Sequence, residues 1–320
     1  MTLQQLRYLC AIADNGFSIS RAARALHTSQ PGISRQVRQL ESQLGATLLL
    51  RRDGRISGLS ESGLRVFEIA RRILKDSDSL KTVGDDFTLE DSGTLTIATM
   101  HLYARALLVP AIAEFRQRHP TVDIDLRQDT PGRIFDMVYS GEADIGVVTS
   151  RQNEAASQAL LEIPCRTMPR VLITPRKHPL TRKRAISLQD IGQYPLIAFD
   201  ALLAGGWALK RAFQSQKVEM KISMRAMDAT VIKMLVEAGM GISVLPSIAH
   251  DSKRDRRLAA IDVSHLFGVS VMTVLVDPHR QLRRYAYDFI QRLAPGWDRE
   301  RVEREQADRT ARHPGLAQDT

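Results

Sequence analysis

The chain has 320 residues, 43% hydrophobic and 25% charged, which excludes a collagen-like, fully disordered or purely coiled-coil protein and predicts about two folded domains. It has no apolar run of about 18 residues, no signal-peptide core at its start, and only two cysteines (Cys10 and Cys165), so a cytoplasmic protein with no membrane partner is expected. The net charge of +9 is uneven: residues 1–75 hold 12 basic and 5 acidic side chains, and residues 76–91 are net −5. A basic module therefore precedes an acidic boundary near residue 90, and an acidic partner such as nucleic acid is compatible with it.

Leu3, Leu6, Leu9, Cys10 and Ala13 have helical spacing, broken by Gly16. Ser18 or Ser20 can cap a second helix through Ala22, Ala23, Ala25 and Leu26. After the turn His27-Thr28-Ser29, a third helix is predicted over about Gln30–Leu44. Ser29 is its N-cap, Pro31 sits in its first turn, and Gly45 ends it. Two short helices across a tight turn, the second rich in Gln, Ser and Arg, read as a helix-turn-helix. Its second helix would enter the major groove of double-stranded DNA. The predicted DNA-binding set is Ser29, Gln30, Pro31, Ser34, Arg35 and Arg38. Arg pairs bidentately with guanine, Gln with adenine, and Ser with base or phosphate. Leu48-Leu49-Leu50 followed by Arg51, Arg52, Gly54 and Arg55 reads as a strand and basic hairpin, a wing whose arginines touch phosphates.

These residues carry a resemblance. Leu3-Gln4-Gln5-Leu6-Arg7-Tyr8, Ser20-Arg21-Ala22-Ala23, Ser29-Gln30-Pro31-Gly32-Ile33-Ser34, Gln39-Leu40-Glu41, Leu44-Gly45 and Leu59-Ser60-Glu61-Ser62-Gly63 resemble the LysR-type transcriptional regulators, in the right order and at the right spacing. The run Thr28–Arg38 is closer to the CysB-like subgroup, which regulates sulfur assimilation. Residues 61–87 read as one helix with Val66, Ile73, Leu80 and Phe87 seven residues apart. Small residues at the alternate seam positions leave packing on its own domain open. The resemblance implies a linker helix that pairs two subunits, a homodimer built into a homotetramer, and RNA polymerase as a partner if the protein activates.

From Thr94 onward short apolar strands alternate with helical segments, an α/β pattern. Strands are predicted at 94–98, 122–128, 143–149, 170–175, 195–200, 221–227, 241–246 and 269–278. Ser140-Gly141-Glu142-Ala143-Asp144-Ile145-Gly146, the run Glu237–Pro246 and the run Tyr285–Pro295 are similar to LysR effector domains. The expected class is α+β overall: a winged helix-turn-helix (1–60), a linker helix (61–91), and an α/β effector domain of two subdomains (92–297) like periplasmic binding proteins. Subdomain I would hold about 92–164 and 267–297, and subdomain II about 165–266, with chain crossings near Cys165 and Leu266. Residues 298–320 mix charges and are expected to be a disordered tail, at least from Ala307.

The resemblance places an inducer in the cleft. Its lining would be Thr99, Met100, His101, Leu102, Tyr103, Thr149, Ala201, Leu202, Ala204 and Thr230. The subgroup offers hydroxyls and an amide where this chain has Met100, Leu102 and Tyr103. Met and Leu cannot hydrogen-bond a sulfate. The expected effector is thus a larger organic molecule, an organosulfur compound with an anionic end, rather than bare sulfate, with sulfate and acetylserine kept as the other candidates; packing of Met100 and Leu102 into the core is the alternative. A regulator of another operon, sensing an aromatic or other organic acid, is the second reading. No cofactor, metal site or catalytic constellation is expected: Gly58–Gly63 misses the nucleophile elbow, and the histidines lack metal spacing with the cysteines. Two basic clusters, 176–184 and 253–257, are solvated loops by default.

Overall fold

The computed structural model describes every residue except 53, 88–91, 151–158, 200–203 and 313–320. The chain divides into two compact units: Met1–Glu90 with Pro278–Arg283 and Gln306–Thr320, and Asp91–Asp277 with Arg284–Glu305.

The first unit begins with three helices, each started by a side-chain cap. Thr2 and Gln5 form a reciprocal capping box on α1 (Leu3–Asp14). Ser18 caps α2 (Ile19–Ala25), and Ser29 caps α3 (Gln30–Leu44). Gly45 closes α3 at φ +64°, a conformation glycine adopts without steric cost. Leu6, Leu9, Ile12, Ala22, Ile33, Val37 and Leu40 form the core between them. The wing is an antiparallel hairpin, β1 (Leu49–Arg52) and β2 (Arg55–Leu59), in which Arg52 faces Arg55. Glu41 ties it to α3 by accepting from the Leu48 and Leu49 amides at 2.8 and 3.1 Å.

Helix α4 (Glu61–Phe87) behaves differently along its length. Ala70 is buried, and Val66 and Ile73 pack against the first unit's own core. Arg71 forms an ion pair with Asp14 of α1. Leu80 is 74% exposed. The seven-residue seam thus serves the domain itself in its first half. The Phe87 side chain lies outside the described residues.

In the second unit a sheet runs in the order β10-β6-β11-β5-β3-β4. Its strands are β3 (Gly93–Thr99), β4 (Val122–Gln128), β5 (Ile145–Thr149), β6 (Leu161–Pro175), β10 (Leu258–Asp262) and β11 (Val269–Val276). Strand β9 (Ser243–Pro246) also pairs with β6, and β7 (Leu196–Phe199) pairs parallel with β8 (Ile222–Ala226). Strand β6 is two and a half times the predicted length, because Pro164 and Pro169 mask its first part in the sequence. Residues up to Pro169 pair with β11, and residues from Arg170 onward pair with β9 and β10. The change of partner lies between Pro169 and Arg170, four residues beyond the expected crossing. Strand β10 was not predicted; its pattern of exposed and half-buried residues is that of an edge.

Between β3 and β4 a helix opens at His101–Tyr103 (α5), passes through a π-helical turn at Ala104–Leu108, and continues as α6 (Val109–Arg118). The other helices are α7 (Pro131–Ser140), α8 (Leu188–Gly192), α9 (Ala204–Ser215), α10 (Ala229–Glu237), α11 (Ser264–Phe267) and α12 (Arg284–Leu293).

The tail differs from expectation. Residues Arg299–Arg312 form a helix, α13, which includes Ala307. Asp298 accepts from the Arg301 amide at 2.9 Å, and Arg299 pairs with Glu303 one turn on. Val302 and Gln306 are buried, and Gln306 donates to the Arg280 carbonyl. Two buried positions four apart hold a helix that lacks wider apolar periodicity. The expected disorder of 313–320 lies outside the described residues.

Candidate functional sites: a DNA-reading helix and an effector cleft

The turn between α2 and α3 and the start of α3 form the outer surface of the first unit. Gln30, Pro31, Arg35 and Arg38 are exposed, and Ser34 is half-buried. Ser29 is exposed, but its hydroxyl accepts from the Gly32 amide at 3.3 Å, which makes it a cap first. A concavity of about 580 Å³ runs along this turn, lined by Arg24, Thr28, Gln30, Pro31 and Ser34 among others. Arg24 and Thr28 were not singled out from sequence. Arg24 falls in the last turn of α2, where spacing alone does not show that it faces α3. Arg51, Arg52 and Arg55 are exposed on the hairpin. Two arginine-bearing elements therefore carry cations with no ion pair in the structure among the described residues, as phosphate contacts require.

In the second unit, the predicted effector residues sort into distinct roles. Thr99 is fully buried at the end of β3, where its hydroxyl donates to the Val147 carbonyl at 3.1 Å. Tyr103 is also fully buried, and its hydroxyl lies 2.6 Å from the Thr149 hydroxyl. One proton joins these two oxygens, so one hydroxyl proton of the pair is left for another acceptor. Burial pushes the Tyr103 hydroxyl up to about 12, so it is neutral near pH 7. His101 is exposed at the start of α5.

Met100 packs beside Ile134, Met137 and Val138. Leu102 packs against a different cluster, containing Val171, Ile173, Ile232 and Leu245. The two side chains thus rest on different apolar clusters. The hydroxyl of Thr230, at the start of α10, accepts from Arg105 Nη1 at 2.5 Å. The first amides of α10, at Thr230 and Val231, are capped by Asp228 at 2.7 and 3.1 Å. That helix start therefore offers fewer donors than its sequence suggested. Ala201 and Leu202 lie outside the described residues, and Ala204 is described only as the first residue of α9.

Two cations enter this region without having been predicted. Arg105 is the partner of Thr230, and Arg170 is buried on β6. In sequence, Arg170 looks like the polar start of an apolar strand. Its burial depends on β9, β10 and β11 closing around β6.

Burial pushes the Cys165 thiol up to about 11 and the Cys10 thiol up to about 12, as expected of inert thiols. The basic clusters meet each other, since Arg176 donates to the Arg256 carbonyl at 3.1 Å. Lys183 pairs with Asp190, Arg254 with Asp251, and Arg257 with Glu237. Among the described residues no group of three or more His, Cys, Asp or Glu side chains is placed to hold a metal ion. No helix among them is long and apolar enough to cross a membrane.

Comparison with known proteins converges on the same two parts. Residues 3–64 match the family model for the bacterial regulatory helix-turn-helix protein of the lysR family, and residues 89–298 match the LysR substrate binding domain. The chain is 36% identical over 303 residues to the HTH-type transcriptional regulator CysB of Burkholderia cenocepacia, covering 95% of this chain and 96% of that one. It is 36% identical over 295 residues to the regulator SsuR of the same species, covering 92% and 95%. The solved cofactor-binding domain of the Cbl transcriptional regulator superposes with a TM-score of 0.63 at 30% identity, covering 68% of this chain and 94% of that one. A DNA-reading helix, a basic wing and a separate small-molecule domain, matched along nearly the whole length, place this chain in the LysR family of transcriptional regulators, which are not enzymes.

Proposed function

We propose that this regulator controls genes of sulfur or organosulfur metabolism, and that its effector is an organic molecule with an anionic end rather than bare sulfate. The reading rests on one observation above others: the segment leading into the buried Tyr103–Thr149 hydroxyl pair carries Met100 and Leu102, half-buried against apolar clusters, where a sulfate would need hydrogen-bond donors. Those two side chains offer an inorganic oxyanion no hydrogen bond in return for its desolvation. Similarity to CysB and SsuR supports the choice of gene class. The partners are double-stranded DNA, a second subunit joined through α4, a tetramer of two such dimers, and RNA polymerase at promoters it activates, all in the cytoplasm. Effector binding favours one state of the cleft and changes the spacing of the recognition helices.

The experiment pairs a gel shift on the upstream DNA of its own operon with thermal-shift screening of the full chain. Sulfate, acetylserine, alkane- and arenesulfonates and aromatic acids are the probes. A specific shift, and a melting temperature raised by an organosulfur anion, are expected. Tight sulfate binding with no response to sulfonates overturns the effector assignment. A response only to aromatic carboxylic acids moves the protein to a different operon.

A further inference from the structure

Arg170 sits where β6 exchanges partners: Pro169 faces Val269 of β11, and Arg170 faces Pro246 of β9. Its backbone is fixed on both sides. The amide donates to Ser264 Oγ at 3.0 Å, and the carbonyl accepts from the Val263 amide at 2.9 Å. The side chain is 4% exposed, and its Nε has no hydrogen-bond partner among the described residues. No carboxylate among the described residues pairs with it.

A guanidinium in this position stays charged. Burial lowers its pKa, but arginine begins far above neutrality. Among the described residues, the groups in reach of it do not balance that charge. Tyr103, within electrostatic reach of Arg170, is neutral near pH 7, and so is the Cys165 thiol that acts on the same tyrosine. A buried cation without an anion is among the costliest arrangements in a fold. Such a group persists where function requires it.

The surroundings define what would complete it. The Tyr103–Thr149 pair has one hydroxyl proton to give. Met100 and Leu102, in the segment that leads into Tyr103, are half-buried apolar side chains. A guanidinium fork and a hydroxyl together suit an oxyanion bound by two parallel N–H bonds.

We infer that Arg170 is the anchor for the anionic group of the effector, an organic sulfonate or carboxylate whose apolar body lies against Met100 and Leu102. This rests on the effector reading above and adds the residue that confers charge selectivity. The effector's anion balances a charge that pairs with no carboxylate among the described residues.

The test uses the full chain and two variants, Arg170→Met and Arg170→Lys. Probes at equal concentration are benzenesulfonate, butanesulfonate, benzoate, inorganic sulfate and the uncharged benzenesulfonamide. Without probe, Arg170→Met should melt at or above the wild-type temperature, because an apolar side chain of similar length replaces an unpaired charge. With probe, at least one organic anion should raise the wild-type melting temperature, and benzenesulfonamide should not. Arg170→Met should lose that response, and Arg170→Lys should weaken it by about tenfold or more in Kd, since lysine lacks the fork. Both variants should shift operator DNA like the wild type.

A probe-free Arg170→Met chain that melts well below wild type makes Arg170 a structural residue and overturns the inference. So does an anion response that survives in Arg170→Met, a wild type that answers none of the anions, or an equal response to inorganic sulfate. The gel shift reads DNA binding separately, so its failure would strike the regulator's proposed gene target and leave the Arg170 result standing.

Discussion

Arg105 Nη1 donates to the Thr230 hydroxyl at 2.5 Å, which joins the turn after α5 to the first turn of α10. The two residues are 125 positions apart in the chain. Arg105 is exposed, so the bond is a modest one in energy. It nevertheless links two distant segments of the second unit.

Arg105→Ala and Thr230→Val should therefore couple. Each should lower the melting temperature of the full chain slightly, and the double variant should lose less than the two together, with a coupling of about 0.5–1 kcal/mol. Strictly additive losses in a double-mutant cycle would show that the bond carries no stability.

Arg35 and Arg55 should separate by sequence dependence. Arg35→Ala, on the recognition helix, should cost about 1–3 kcal/mol of discrimination on operator DNA against single base changes. Arg55→Ala, on the wing, should weaken binding to all sequences alike and reduce the salt slope by about one. Gel-shift titrations at several salt concentrations read both. A sequence-selective loss for Arg55→Ala would overturn its phosphate role.

Gly63 passes directly over β1's approach to the wing. A Cβ added there would lie 2.0 Å from the Leu48 carbonyl oxygen, a backbone atom that cannot swing away. Gly63→Ala should destabilise the first unit by about 1–3 kcal/mol or more. Amide exchange should quicken across α1–α4 while the effector domain keeps its protection. Unchanged exchange would mean that the helix start shifts freely.

Asp190 gives a pH prediction. The hydrogen bond from Lys183, followed by that from the Ser187 amide, lowers its carboxyl from 3.8 to about 2. A carboxyl depressed in the folded state stabilises the fold above its ordinary value, and that contribution is lost as pH falls through about 2. Asp190→Asn should therefore flatten the dependence of melting temperature on pH between about 4 and 2. Parallel curves for the two chains would show that the Lys183 contact does not hold in solution.

The sequence by itself determined the helix-turn-helix, its Ser29 cap, the Gly45 stop, the basic wing and most of the α/β elements, and it narrowed the cap of α2 to Ser18 or Ser20. These features depend on local chemistry: 3.6-residue spacing, a side chain capping its own helix, a glycine at positive φ, and exposed arginines that need no tertiary partner to be recognised. It also placed Tyr103, Thr149 and Thr230 at strand and helix ends. Other features depended on chain segments far apart in sequence. The packing of Ala70 on α1's domain, the order of α13 and the full length of β6 each required a partner that no local pattern names. The cleft shows this most clearly. Whether Met100 and Leu102 pack into apolar clusters, whether the Thr230 hydroxyl has a partner, and whether Arg170 is a surface charge or a buried cation were decided by segments distant in sequence: α7 beside Met100, Arg105 at Thr230, and β9 beside Arg170. Burial and electrostatic pairing are properties of the assembled neighbourhood, and an arginine reads the same in sequence wherever it folds.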